Sequence, residues 1–269
     1  MHNMSVLPLN QYLDVAVRAA HKAGRLLVAR AGKPRSVHTK RSAIDLVTEI
    51  DRASERMIHD EIRRRFPDHG FQGEERAQTN PDAPLRWIVD PVDGTTNFVH
   101  GMPAFAISIA LTRHGQPIAG VVYDPTRRET FTAIKGAGAR LNGTRIRVSK
   151  AARLSDSLLS TGFSSNFRRN PTPYLTWFVA FQARCHAVRR MGCTSLSLAY
   201  VACGRQDGFY ERDLWPWDIA AGVLLVHEAG GRVTDFTGHP VQLAEGRVIA
   251  SNGSIHAPMV SILSRHLQR

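Results

Sequence analysis

Cysteine is scarce in this chain of 269 residues: there are three, Cys185, Cys193 and Cys203, and no two of them form a C-x-x-C pair. An odd number of widely separated thiols does not favour a disulfide framework or a cysteine-based zinc module. The 12 histidines show no paired spacing either, so we interpret them as solvated or packed side chains. This usage is typical of a reduced, cytoplasmic protein.

Long hydrophobic runs are also missing. No apolar stretch approaches the roughly 20 residues that a membrane-spanning helix needs, so we expect no membrane partner. The first residues, Met1 to Ser5, lack the basic and apolar regions of a secretory signal. There is no linker, internal repeat or low-complexity tract. We therefore expect a single domain over residues 1–269, with halves at about 1–150 and 151–269 that share one site.

Acidic residues are few relative to basic ones: 35 Lys and Arg against 23 Asp and Glu give 35 − 23 = +12. Such a positive field can steer a phosphorylated substrate or bind nucleic acid without sequence preference. The arginine clusters are scattered and carry no interleaved aromatic residues, so no known nucleic-acid module is visible. We expect nucleic-acid binding to be weak at most, and Arg63–Arg65 to lie on a helix that packs away from any metal site.

The most informative segment that is present is Asp90–Phe98, which follows the apolar run Trp87–Val89. That run predicts a buried strand, and two carboxylates separated by Pro91 at its end are unfavourable unless a cation compensates them. The following Gly-Thr-Thr is typical of a helix opening, whose free N–H groups attract anions. The segment therefore favours metal-assisted phosphoryl chemistry, although Asp-Pro-x-Asp-Gly also occurs in ordinary surface turns.

Four motifs together resemble the inositol monophosphatase family of Mg²⁺-dependent, lithium-sensitive phosphatases. D-P-x-D-G-[ST]-x-x-[FY] is matched by Asp90–Phe98, and W-D-x-[SA]-[SAG]-G by Trp217–Gly222. A glycine-glutamate-glutamate element is matched by Gly73–Glu75, and D-L-V-T-x-x-D by Asp45–Asp51. They occur in the family's order with about its spacing, and the resemblance spans nearly the whole chain.

The pattern of predicted elements agrees with the α+β / α/β layered αβαβα sandwich, the sugar-phosphatase fold that this resemblance implies. Helical spacing predicts a helix from Leu9 to Ala31, and a Thr48–Asp51 capping box opens a second helix that ends near Phe66. Residues 105–148 predict an antiparallel meander, after which strands and helices alternate to the C-terminus.

The resemblance also implies a metal centre. Two to three Mg²⁺ ions are expected, with Mn²⁺ as a substitute, because oxygen-only ligands favour these ions over zinc. By resemblance the first ion is held by Glu74, Asp90 and the carbonyl of Val92. The second is held by Asp90, Asp93 and Asp218, and a third is bound more weakly through Glu74.

The catalytic residues implied by the resemblance are Asp51, Thr95 and Glu74. Thr95 and Asp51 are expected to orient and deprotonate a water that attacks phosphorus in line, without a phospho-enzyme. Asp51 is at the same time predicted to be the acid of a helix cap, and the two roles are compatible. Lys40 lies five residues before Asp45, where the resemblance implies a lysine near the metal-bound phosphate, and Arg41 is adjacent to it.

Substrate contacts are implied in the same way. The N–H groups of Gly94 and Thr95 are expected to bind the phosphate. The hydroxyl contacts of the family map onto Asp93, Gly192, Thr194, Glu211 and Asp218. Two departures from the bacterial relatives lie near the alcohol: Asp213 and Trp215 stand where Gly and Lys are frequent, and Thr194 replaces a frequent Ala. They leave inositol itself open as the substrate.

The function expected from these observations is that of an enzyme, an inositol-phosphate phosphatase that is a cytoplasmic homodimer. It hydrolyses inositol monophosphate or a similar small polyol or sugar phosphate by a metal-activated water. One alternative is a fructose-1,6-bisphosphatase or histidinol-phosphate phosphatase on the same scaffold. A non-enzymatic alternative is a protein that binds RNA or the transcription machinery.

Overall fold

The computed structural model of the protein describes residues 8–33, 37–39 and 46–265. The helices within these ranges are α1 Leu9–Arg30, α2 Glu49–Arg65, α3 Thr95–Val99, α4 Thr172–Gln182, α5 Thr194–Ala202, α6 Pro216–Glu228 and α7 His256–Arg265. The strands are β1 Val37–Thr39, β2 Leu46–Thr48, β3 Gly70–Gly73, β4 Leu85–Asp93, β5 Ala106–Arg113, β6 Gln116–Asp124, β7 Glu129–Ile134, β8 Gly138–Leu141, β9 Thr144–Arg145, β10 Leu158–Thr161, β11 Ala187–Arg189, β12 Gly208–Glu211, β13 Arg232–Thr234 and β14 Val248–Ser251.

Two sheets organise the chain. The first has seven strands in the order β3-β4-β5-β6-β7-β8-β9, and all its pairs are antiparallel except β3 with β4. The second has five strands in the order β11-β10-β12-β14-β13, with β10 parallel to both of its neighbours. The predicted meander is therefore confirmed as β5–β9, and within the described ranges β1 pairs with β2 alone.

Helices separate and cover the two sheets. α1 and α2 pack on one face of the seven-stranded sheet, and α5 and α6 lie between the two sheets. α4 and α7 cover the outer face of the five-stranded sheet. The layers thus run αβαβα, as predicted, and three apolar clusters fill the interfaces, one of which surrounds the middle helices and contacts both sheets. No helix in the described ranges is both long and apolar enough to cross a bilayer.

The start of α2 follows from its sequence. The Thr48 hydroxyl accepts the N–H groups of Ile50 and Asp51, and Asp51 Oδ2 accepts the Thr48 N–H at 2.9 Å. This reciprocal capping box satisfies N–H groups that have no partner inside the helix. The predicted cap is confirmed, and it fixes Asp51 at the end of α2 that faces β4.

The end of strand β4 differs from the prediction. We expected the strand to cover Trp87–Val89 and the two acids to follow its end, but β4 continues to Asp93, with an irregular register between Asp90 and Asp93. Pro91 is compatible with a strand here because an irregular register leaves its missing N–H without a ladder partner. The acids therefore project from a distorted strand end.

Candidate metal and phosphate site

Strand β4 delivers the first two acids of the site. Asp90 and Asp93 are both buried, and Asp90 Oδ1 accepts the N–H of Val92 at 3.0 Å. From the facing helix, Ser54 Oγ donates to the carbonyl of Pro91 at 3.1 Å and ties α2 to the distorted segment. The carboxylate of Asp90 is therefore oriented by its own strand, and the strand by α2.

The start of α5 holds Asp93. Its Oδ1 accepts the N–H of Thr194 at 3.2 Å, and its Oδ2 accepts the N–H of Ser195 at 2.6 Å and the thiol of Cys193 at 3.1 Å. Free N–H groups at a helix start favour a carboxylate. Burial raises the pKa of Asp93, whereas these hydrogen bonds lower it, and the net direction is upward. The contacts of Cys193 and Ser195 with Asp93 were not predicted from the sequence.

Asp218 comes from the first turn of α6. Its Oδ2 accepts the N–H of Trp215 at 2.7 Å, which caps the helix. Burial raises the pKa of Asp218 well above its usual range, and the charges of Asp93 and Glu74 raise it further. The pKa of Asp90 is raised by burial and then by Glu74, Asp93 and Asp218. Four carboxylates from three parts of the chain, two of them on β4, therefore share one small region.

Asp51 and Thr95 meet beside these acids. Thr95 Oγ1 lies 3.1 Å from Asp51 Oδ1 and 3.0 Å from the carbonyl of Val92. Because one hydroxyl carries one proton, Thr95 donates to only one of these acceptors at a time. Asp51 is fully buried and still caps α2 through Oδ2, so the capping contact and the Thr95 contact coexist on one side chain.

Helix α3 opens at Thr95, as predicted, and its geometry depends on a glycine. Gly94 adopts φ +90°, and a Cβ there would lie 2.9 Å from the carbonyl of Ala104 and 3.0 Å from that of Gly192. The side chain of Asn97 donates to the carbonyls of Ala104 and Met191 at 2.7 and 2.9 Å. These contacts bring Gly192, a predicted substrate contact, against the start of α3.

Glu211 and Thr194 form the side of the site expected to bind hydroxyls. Thr194 Oγ1 donates to Glu211 Oε2 at 3.1 Å, and burial raises the pKa of Glu211 to about 8. A Cβ at Gly162 would lie 2.0 Å from Glu211 Oε1, so glycine makes room for this carboxyl. Near neutral pH the carboxyl of Glu211 can therefore both donate and accept a hydrogen bond.

Thr194 is one of the departures from bacterial relatives, and the segment with the other, Asp213 and Trp215, follows Glu211 in the chain. Asp213 has φ +61°, and its Oδ2 accepts the hydroxyls of Tyr174 and Ser164. Trp215 is 45% exposed, and its ring is stacked on that of Trp217 with centroids 5.3 Å apart. Asp213 is thus engaged by the α4 side of the fold, whereas the Trp215 ring is presented at the surface.

The donor set fits a hard divalent cation by its chemistry. Glu74, Asp90, Asp93 and Asp218 supply carboxylate oxygens, and Val92 supplies a carbonyl, which are the ligands that Mg²⁺ prefers. In the described ranges, however, no three His, Cys, Asp or Glu side chains are already drawn into a ligand cage. Each aspartate instead accepts a hydrogen bond from a backbone N–H.

The structure thus gathers the predicted residues from both halves of the chain. They are Asp51, Glu74, Asp90, Val92, Asp93, Gly94, Thr95, Gly192, Thr194, Glu211 and Asp218. Lys40 and Asp45 lie outside the described residues. The prediction overlooked Glu55, although its position four residues after Asp51 on one helix face was a usable signal.

The family profile described as "Inositol monophosphatase family" matches residues 9–268. The Nus factor SuhB of Escherichia coli strain K12 is 43% identical over 255 residues, which are 94% of this chain and 96% of that protein. The inositol-1-monophosphatase of Rhizobium meliloti strain 1021 is equally similar, with 43% identity over 255 residues and the same coverage of each chain.

Solved structures of similar proteins agree with this family assignment. An inositol monophosphatase from Anabaena (Nostoc) sp. PCC 7120 has 41% identity and a TM-score of 0.88, with 96% of each chain covered. The extragenic suppressor protein suhB from Bartonella henselae has 41% identity and a TM-score of 0.90, covering 95% of this chain and 99% of that one. With the acid cluster, the layered fold and these similarities in agreement, the chain belongs to the inositol monophosphatase family.

Proposed function

We propose that the protein is a Mg²⁺-dependent phosphomonoesterase that hydrolyses inositol monophosphate or a similar small polyol phosphate. The observation that carries the proposal is the convergence of Asp90, Asp93 and Asp218 with Glu74, whose charges act on one another. Such a cluster of acids is unfavourable unless cations bind it. Relatives that are named inositol-1-monophosphatase and are 42–43% identical to this chain support the same activity.

In this proposal the acids and the Val92 carbonyl hold two to three ions. Mg²⁺, when bound, lowers the pKa of a coordinated water and stabilises charge on the departing oxygen. The chain's own contribution is to place a proton acceptor beside that water. Thr95 accepts a hydrogen bond from the water and passes its own proton toward Asp51, whose Oδ1 is 3.1 Å away. Burial and the capping bonds keep Asp51 in place for this role.

The remaining predicted residues orient the substrate in this proposal. The N–H groups of Gly94 and Thr95 take the phosphate, and Thr194 and Glu211 take hydroxyls of the alcohol. The half-buried hydroxyl of Thr194 and the buried carboxyl of Glu211 suit a substrate with neighbouring hydroxyls, since each partner can satisfy one of them. An analogue that lacks those hydroxyls would leave buried polar groups unpaired.

The test is phosphate release from inositol 1-phosphate, fructose 1,6-bisphosphate and histidinol phosphate, each with and without Mg²⁺. We expect Mg²⁺-dependent release with the highest kcat/KM on inositol 1-phosphate. Asp82→Asn is the matched control for acid-cluster variants, because Asp82 is an exposed acid. A preference for either of the other substrates would favour that alternative, and no Mg²⁺-dependent release from any of them would contradict the proposal.

A second candidate function is binding to the transcription machinery or RNA. It is favoured by relatives named Nus factor SuhB, at 43% identity. Arg63–Arg65 are exposed in the last turn of α2. α2 was expected to pack away from the metals, but its first turn carries Asp51, and the arginines lie about 18 Å along it at 1.5 Å per residue. The two functions can therefore occupy opposite ends of one helix.

The proposal also includes lithium inhibition, a homodimer and a cytoplasmic location. Light scattering of the purified protein tests the dimer, and cell fractionation tests the location. A monomer at micromolar concentration would contradict the dimer without affecting the proposed chemistry.

A further inference from the structure

Glu55 lies in the middle of α2 and is fully buried. Its Oε2 accepts the N–H of Glu75 at 2.8 Å. Glu75 belongs to the segment that directly follows β3 and also contains Glu74. β3 runs parallel to β4, with Gly73 paired to Val89. The hydrogen bond therefore anchors the Glu74 segment at the position where β4 reaches Asp90.

Gly73 makes room for this contact. Its φ is not in the left-handed region, so backbone conformation does not require glycine here. A Cβ at Gly73 would lie 2.3 Å from Glu55 Oε2 and 2.5 Å from Glu55 Cδ, which is closer than atoms can approach. The carboxyl of Glu55 thus occupies the space that a side chain at position 73 would fill.

Stability alone does not explain a glutamate at this position. Glu55 Oε1 is buried and has no hydrogen-bond partner in the described part of the chain. An unpaired buried carboxyl oxygen is unfavourable, and an apolar side chain of the same size avoids that penalty. The carboxyl of Glu55 does, however, supply an acceptor for the N–H of Glu75 that an apolar side chain lacks.

We propose that Glu55 is a positioning residue that holds the Glu74 segment toward Asp90 and thereby sets the affinity of the acid cluster for divalent cations. This inference rests on the proposed function. Asp51 and Glu55 lie one turn apart on the same face of α2, and Ser54 between them bonds the carbonyl of Pro91. One helix therefore fixes the predicted proton acceptor, the bulged strand and the Glu74 segment relative to each other.

The experiment is calorimetric titration of Mg²⁺ into the full-length protein after removal of metal. Glu55→Met preserves size but removes the acceptor, and should weaken Mg²⁺ binding by about 10–100-fold, the usual loss for partners that orient metal ligands. Glu55→Gln keeps an acceptor for the Glu75 N–H and should bind nearly as the wild type does. Glu61→Gln is the control, since Glu61 on the same helix forms ion pairs with the exposed side chains of Arg18, Lys22 and Arg64.

Two further measurements separate positioning from a general structural role. The melting temperature of Glu55→Met in EDTA should stay close to that of the wild type, and its kcat should recover as Mg²⁺ is raised. Gly73→Ala places a methyl group where the Glu55 carboxyl lies, and so should disturb the same contact and weaken Mg²⁺ binding in the same way. Gly73→Ala also tests the inference if Glu55→Met does not fold.

Unchanged Mg²⁺ affinity in Glu55→Met, or in Gly73→Ala, would overturn the inference. Equal losses in Glu55→Gln and Glu55→Met would also overturn it, because the charge and not the tether would then matter. Wild-type protein that neither binds Mg²⁺ nor releases phosphate would instead refute the proposed function, and this inference with it.

Discussion

Asp93 Oδ2 accepts the backbone N–H of Ser195 at 2.6 Å, and so joins the end of strand β4 to the first turn of α5. The two residues are 102 positions apart, on either side of the interface between the seven-stranded sheet and the middle helices. The candidate site is therefore assembled only when both sheets and their shared helices are in place. Substitutions of Asp93 should accordingly affect stability as well as chemistry.

Asp93→Asn should reduce kcat to less than a tenth of the wild-type value, a loss above about 1.4 kcal/mol, because a charge of the proposed second metal site is removed. An amide also places an N–H₂ group against one of the donors from α5, so the melting temperature should fall. Steady-state kinetics at saturating Mg²⁺ and thermal unfolding measure the two effects. Asp82→Asn should change neither, and more than a tenth of wild-type kcat would show that the metal assignment is wrong.

The choice of ion should follow from ligand geometry. Activity should require Mg²⁺ at millimolar concentration, should fall with Ca²⁺ and should be inhibited by Li⁺. Mg²⁺ requires short octahedral oxygen coordination, and the larger Ca²⁺ should misplace the attacking water and the leaving oxygen. Phosphate release is measured in each ion after chelation. Full activity in excess chelator would contradict metal dependence.

Thr194→Val should raise KM for inositol 1-phosphate about tenfold, with a much smaller change in kcat. The substitution removes the hydroxyl that donates to Glu211 and leaves a buried carboxyl with one fewer partner, at about 1–3 kcal/mol. Thr194→Ser keeps the hydroxyl and is the matched control. Equal KM values for the valine and serine variants would show that the Thr194 hydroxyl does not contribute to substrate binding.

His256 should make stability depend on pH. Its ring nitrogens contact the hydroxyls of Thr234 and Ser251 at 2.9 and 2.8 Å, and burial lowers its pKa from 6.5 to about 4, with Arg232 adding to the effect. Between these values the unfolded state binds more protons, so this contribution to stability is lost as pH falls from 6.5 to 4, at up to about 1.4 kcal/mol per pH unit.

Denaturant unfolding of the wild type and of His256→Gln isolates this contribution, because the difference between them cancels the opposing effect of the buried acids. The stability advantage of the wild type should shrink as pH is lowered from 6.5 to 4. A difference that is constant over that range would mean that His256 titrates normally in the folded state.

Nucleic-acid binding should be salt-dependent and separable from catalysis. Replacing Arg63, Arg64 and Arg65 with Gln should weaken RNA binding, which should also fall steeply with salt because each neutralised phosphate releases counterions. Phosphate release should change far less, since the arginines lie at the end of α2 away from Asp51. Filter binding at several salt concentrations is the measurement. A tight, salt-resistant RNA complex would instead favour the second candidate function.

Local features of the site could be predicted from the sequence because they depend on neighbours along the chain. The Thr48–Asp51 cap, the helix that opens at Thr95 and the acid in the first turn of α6 each follow from a few adjacent residues. The predicted end of β4 was wrong because a Pro between two acids is compatible with either a turn or a bulged strand. Only pairing with β5 decides between them, and pairing is not a local property.

By itself the sequence determined the acids, their order, the helices and strands that carry them, and membership of the family. The tertiary structure alone decided how the acids are held: Asp93 by the start of α5, Glu211 in the space left by Gly162, and Glu55 in the space left by Gly73. A glycine that admits a carboxyl from a distant segment has no periodic signature, since its reason is the position of an atom contributed by another element. The need for glycine at these positions arises only when the layers pack and set the burial and the strand register.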